Sequence, residues 1–223
     1  MEAPTFLDFI IHATGLPAYL VFTWFVMLVI LLLALIVRSS LKLVPEGIQN
    51  VAESVVYGVY SFVEDILGKE ETPKHFPLIA TLAIFIFFAN ITELIPYFAP
   101  PTSNLNTTLS MALIVFVYYQ FLGIKKHGFK YIKHFMGPVW WLVPLMLPIE
   151  IIGHFARIIS LSVRLFGNIF GDDLLLAIIF FLAPWLVPLP IMGLVLFAAS
   201  LQAFIFFLLT TLYIADAVSE PEH

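Results

Sequence analysis

The chain has 223 residues, 61% of them hydrophobic and 11% charged, with no Cys and a formal net charge of −5. Soluble domains carry roughly 25% charged residues, so the composition is that of an integral membrane protein. The missing Cys excludes a disulfide framework, thiolate metal sites and a Cys nucleophile, and no basic patch points to nucleic acid.

Residues 1–16 hold Glu2 and Asp8 but no Lys or Arg, so the basic start of a signal peptide is missing. Residues 17–37 reach the roughly 20 apolar positions needed to span a bilayer, and we read them as a retained transmembrane helix. Arg38 and Lys42 close it. Residues 44–67 change character. Val51, Val55, Val59, Phe62 and Ile66 recur at helical spacing, while Glu46, Gln49, Glu53 and Glu64 take the other face. This predicts an amphipathic helix at the membrane surface or against partner helices. Its polar face is acidic, which argues against simple attraction to anionic lipid; a solvated packing helix is the plainer alternative.

Residues 68–75 form a charged linker. Residues 76–98 are the second span, interrupted by Asn90, Thr92 and Glu93. The Pro, Ser and Asn residues of 99–107 break that helix and cap the next one, which covers 108–124. Residues 125–137 hold four lysines and two histidines, and both histidines read as solvated. Residues 138–182 contain no convincing loop. A helix of that length is about 67 Å long at 1.5 Å per residue, against a hydrocarbon core of about 30 Å, so it is kinked, re-entrant or strongly tilted. After a proline-rich turn at 184–190, residues 191–214 are the last apolar stretch, with Gln202 inside it. Residues 215–223 read as a short acidic tail. The whole of 1–223 is predicted to be one membrane domain.

Orientation follows from the basic residues. Arg38, Lys42, Lys69, Lys74, Lys125, Lys126, Lys130 and Lys133 fall in segments that alternating crossings place on one side. By the positive-inside rule that side is cytoplasmic. The N-terminus is then outside and the C-terminus inside, after five crossings. Arg157 and Arg164 are the two cations left within the apolar stretches.

Glu150, Arg157 and Arg164 are spaced by seven, which keeps them on one helix face with a drift of about 20° per heptad. Asn168 continues that face one turn on, and Asp172 and Asp173 end it. A guanidinium does not lose its proton, and a charge at the bilayer centre costs about 2.5–3.5 kcal/mol on insertion scales. A polar row of this kind reads as the wall of an aqueous or protein-facing groove. Plainer readings stand beside it. Glu150 and Arg157 could form a buried structural ion pair. Asp172 and Asp173 could be solvated at the outer surface. Asn90 and Gln202 could be interhelical hydrogen bonds. His154 reads as packing or groove lining, because no second His lies at ligand spacing on that helix. No metal site, no cofactor and no phosphate-binding loop are expected, and this chain carries no catalytic site of its own.

The run Ser162-Val-Arg-Leu-Phe-Gly-Asn168 resembles the a subunit of F-type ATP synthase, and Leu201-Gln-Ala-Phe-Ile-Phe206 resembles that family's second signature. Pro101-Thr-Ser-Asn-Leu-Asn-Thr-Thr-Leu109, Asn90-Ile-Thr-Glu-Leu-Ile-Pro96 and the Glu-His ending fit as well. The resemblance implies an all-α integral membrane fold: one N-terminal transmembrane helix, an amphipathic cytoplasmic helix, a helical hairpin and two long tilted helices against a ring of c subunits. It implies that Arg164 is the essential arginine facing the ring carboxylate, with Asn168 and Gln202 beside the path. Glu150 would lie in the cytoplasmic half-channel, and Asn90, Glu93 and Asp173 in the outer one; Arg157 and Asp172 are further candidates for the proton path. Expected partners are the c ring, the b-subunit peripheral stalk, the lipid bilayer and translocated H⁺, with Na⁺ left open because the ring carries the ion site. The expected location is a bacterial inner membrane. One position departs from the pattern. Many members place a titratable His or Glu where this chain has Val195, so Asp173 works with water alone, or Asp172 or Glu93 substitutes. The alternatives to this function are a secondary ion transporter, which would call for an internal repeat that is missing, and a structural membrane scaffold, which would have no need of Arg164.

Overall fold

A computed structural model describes residues 7–39, 47–95, 98–128, 143–183 and 185–219. The described residues are helical and contain no strand, and five of the helices are long and apolar enough to cross a membrane. In chain order they are α1 (Asp8–Thr14), α2 (Ala18–Ser39), α3 (Ile48–Leu67), α4 (Thr72–Ile91), α5 (Leu105–His127), α6 (Val143–Leu182) and α7 (Pro188–Val218). Residues 138–142 of the long predicted segment lie outside the described residues, as do Lys42, Glu46, Lys130 and Lys133. Helices suit this composition because each satisfies its backbone polar groups internally, where no water can do so.

Local chemistry sets the ends. Gly15, at φ 65°, stops the short α1, and its N–H reaches Ile11 O. Pro73 lies in the first turn of α4, where a missing N–H costs nothing. A 3-10 turn, Thr92–Leu94, finishes α4 and carries Glu93. Asn104 caps α5 by accepting from the Asn106 N–H at 2.9 Å.

The centre of the molecule is α7, which packs against α3, α4, α5 and α6. Ile86 of α4, Val115 of α5, Leu165 of α6 and Phe206 of α7 meet in the core at no more than 1% exposure. Ala199 and Ala203 of α7 are buried as well, and such small residues let membrane helices approach closely. The apolar stripe of α3 is split. Phe62 packs on Phe204 and Phe207 of α7, with ring centroids 5.7 Å apart in both pairs, while Val51, Val55 and Tyr57 stay exposed.

The hairpin of α4 and α5 is braced at its basic end. His75, buried at the start of α4, lies 2.9 Å from the Tyr118 hydroxyl of α5 and 3.2 Å from Glu71. Lys74 and Lys126 also reach Glu71, at 3.2 and 3.9 Å. Burial works to raise the Glu71 carboxyl, but the bonds and charges of Lys74, His75 and Lys126 outweigh it and hold it below the usual range. A depressed carboxyl stabilises the fold above its unfolded value, and that gain is lost as pH falls through the folded one. Glu71→Gln should therefore cost about 1 kcal/mol at neutral pH. Its melting temperature should converge with that of the parent below about pH 4; a constant gap across that range would show that the charge is not what matters.

Candidate ion-path site

The site is built on α6. Its 40 residues run about 60 Å at 1.5 Å per residue, twice a hydrocarbon core of about 30 Å, so the helix can cross only with a strong tilt. Ile158, Leu161, Leu165, Ile169 and Leu176 are its buried stripe, at the three- and four-residue spacing of one helix face. The opposite face is unlike an ordinary lipid-facing helix. Ser160, Arg164, Gly167 and Gly171 recur along it, and all are exposed. A Cβ added at Gly167 or Gly171 would meet nothing within 4 Å. Arg164 thus sits in a row of small residues. Its guanidinium reaches the Ser160 hydroxyl, at 3.5 Å. Among the described residues no carboxylate lies within ion-pair distance of it.

Arg157 is different. It does not pair with Glu150. Its Nη1 donates to Asp216 Oδ2 of α7 at 3.1 Å, and its guanidinium carbon lies 5.3 Å from the centre of the Tyr213 ring. The residues read as the start of an acidic tail continue the last helix to Val218, and that extra turn carries Asp216 to Arg157. The sequence did hold a signal for this. A carboxylate in the last turn of a helix opposes the helix dipole, so it calls for a cation. Glu150 lies instead 3.5 Å from His154 Nε2, one turn further along the same helix.

Toward the other end of α6, three carboxyl groups gather. Glu93 interacts electrostatically with Asp173 and Asp172, although it comes from the end of α4. It is 7% exposed, and both its carboxyl oxygens lack a hydrogen-bond partner among the described residues. Asp172 and Asp173 are half-buried, and the Asn168 amide donates to Asp172 at 3.2 Å. Asn90, fully buried, donates to the Ala199 carbonyl of α7 at 3.3 Å, so it does make an interhelical hydrogen bond, while its Oδ1 has no partner among the described residues. Gln202 is buried on α7, with its Nε2 likewise unpartnered among the described residues. Val195 is 2% exposed and brings no polar group to this region. Ser162 and Thr108, which sequence reasoning passed over, share a buried hydrogen bond of 3.1 Å between α6 and α5. Among the described residues, no group of three or more His, Asp or Glu side chains could hold a metal ion.

The sequence that builds this site matches a known family. The sequence profile of the ATP synthase A chain family matches residues 20–215. The chain belongs to that family. It is 52% identical over 218 residues to ATP synthase subunit a of Syntrophobacter fumaroxidans, covering 97% of this chain and 89% of the relative. It is 53% identical over 192 residues to ATP synthase subunit a of Nitratiruptor sp., covering 86% of this chain and 85% of that protein. With ATP synthase subunit a of Campylobacter curvus it shares 50% identity over 220 residues, 98% of this chain and 97% of the relative. Membership of the ATP synthase A chain family sets aside the secondary-transporter and scaffold alternatives.

Proposed function

We propose that this chain, as the a subunit of the membrane sector of an F-type ATP synthase, couples proton flow to rotation of the c ring through Arg164 and two offset half-channels. The observation that supports the reading is the contrast between the two arginines: Arg157 is neutralised by Asp216, whereas Arg164 is exposed and has no carboxylate partner among the described residues. A lone guanidinium on a membrane-facing surface calls for an anion on another protein. Ser160, Gly167 and Gly171 leave room for a second helix to approach it.

The physics is a cycle of desolvation and charge. A ring carboxyl facing lipid is neutral, because burial disfavours its charged form. Beside Arg164 it ionises, since a nearby cation favours the anion. Its proton leaves through one half-channel, and the next ring site is loaded from the other. The fixed charge of Arg164 also bars protons from crossing directly between the two. The membrane field supplies about 2.3 kcal/mol per charge per 100 mV, which becomes rotation. Glu150 belongs to the cytoplasmic half-channel, with Arg157 at its wall. Glu93, Asp172 and Asp173 belong to the outer one, where Glu93 takes over the role that Val195 cannot fill. Asn90, Asn168 and Gln202 line the route. The buried atoms of Asn90 and Gln202 that lack a partner among the described residues are of the kind that water satisfies.

Residues 1–223 act as one membrane domain in a bacterial inner membrane, with the N-terminus outside and the C-terminus in the cytoplasm. The helix ends support this: Glu71 meets Lys126 and Arg157 meets Asp216 on the side rich in basic residues, while Glu93 feels the charge of Asp173 on the other. The partners are the c ring, the b-subunit peripheral stalk, the surrounding lipid and H⁺, with Na⁺ decided by the ring. The test is co-purification. Extracted in mild detergent, the chain should carry with it a ring of small hairpin subunits; a chain that consistently purifies without one overturns the reading.

A further inference from the structure

Asp216 is no member of the polar row of α6, yet it reaches that row from α7. Glu150, Arg157 and Arg164 follow one another at seven-residue steps, about 10 Å apart along the helix. Arg157 therefore stands midway between the cytoplasmic carboxylate and the arginine that faces the ring. A guanidinium keeps its charge, and a fixed cation beside a proton route bars protons. Left alone, Arg157 would put a second barrier inside the half-channel that Glu150 serves.

It is held on α7 instead. Nη1 donates to Asp216 Oδ2 at 3.1 Å, and the Tyr213 ring meets the guanidinium at 5.3 Å. Tyr213 in turn packs on Tyr119 of α5, with ring centroids 5.8 Å apart. Among the described residues no other carboxylate lies within ion-pair distance of Arg157. Glu150 lies beside His154, which is itself 3.0 Å from the Tyr119 hydroxyl. The neutralising charge thus comes from another helix, and the row's own carboxylate, more than a third exposed, is not taken up by the arginine. We propose that Asp216 is a positioning residue that cancels the charge of Arg157, and so leaves Arg164 as the uncompensated cation on the proton route. The proposal rests on Glu150 and Arg164 bounding the cytoplasmic half-channel. Both members of the pair are partly exposed, so the field is that of a wet groove with an effective dielectric of about 20. At that value a bare charge about 10 Å from a passing proton slows it about tenfold.

The experiment uses inverted vesicles that contain the complete membrane sector, stripped of its soluble ATPase head. Passive proton conductance under an imposed K⁺ diffusion potential is measured and scaled to the amount of assembled complex. Asp216→Asn should slow it about tenfold, because Arg157 is then bare. Asp216→Glu, which keeps the charge, should conduct faster than Asp216→Asn. The double variant Arg157→Gln with Asp216→Asn lacks the ion pair too, but it also lacks the bare cation, and should recover most of the rate. A pair that merely clips α6 to α7 gives the opposite pattern, since both variants have lost the clip. Equal slowing in the single and double variants, or loss of assembly in both, therefore overturns the proposal. So does an unslowed Asp216→Asn in membranes where Arg164→Ala has stopped ATP-driven pumping. Normal pumping by Arg164→Ala overturns instead the channel reading beneath it.

Discussion

Arg164→Ala should abolish ATP-driven proton pumping in inverted membrane vesicles while the complex still assembles. Assembly is spared because the side chain contributes little to the fold. It is exposed, and its contact with Ser160 is a long 3.5 Å. Function is lost because a cation close to an acid lowers its pKa by about 1–3, so removing it makes release from a ring carboxyl roughly 10- to 1000-fold less favourable. The barrier between the half-channels goes as well, so passive proton leak should rise in the same vesicles. Arg164→Lys keeps the charge but loses the planar five-donor fork, and should pump poorly. Arg157→Ala is the informative contrast. It leaves Asp216 without its partner and should act first through packing of α6 on α7. Normal pumping by Arg164→Ala would sink the assignment.

Combining Glu93→Gln with Asp173→Asn should stop proton entry from the outer side. Each single change should slow ATP-driven pumping about a hundredfold, the lower end of the loss found when a positioned acid or base is removed. The cluster has a second signature. The Glu93 carboxyl is buried, lacks a hydrogen-bond partner among the described residues and faces two further acids. Such an arrangement costs stability, because burying a carboxyl group without a hydrogen-bond partner is expensive. Glu93→Gln should therefore leave the melting temperature unchanged or raise it while conductance falls. A residue with a purely structural role would show the reverse: a lower melting temperature and normal conductance in whatever complex survived.

The sequence by itself determined the class of this protein and its helical spans. Hydropathy is a local property, and a membrane helix satisfies its own backbone. Runs such as Ala18–Ser39 and Pro188–Val218 therefore declare themselves without knowledge of their neighbours. Arg164 was legible for the same reason, as a permanent charge in an apolar run whose surrounding residues resemble a family signature. Only the tertiary structure decided which polar group meets which. Glu150 and Arg157 share one helix face by spacing, yet each turns to another partner: Glu150 to His154 and Arg157 to Asp216. Glu93 and Asp173 lie on different helices, and so do Tyr119 and His154. Such meetings depend on how each helix is rotated and tilted against the others. That is set by interlocking side chains along α4, α5, α6 and α7, a long-range property that no single window of sequence contains.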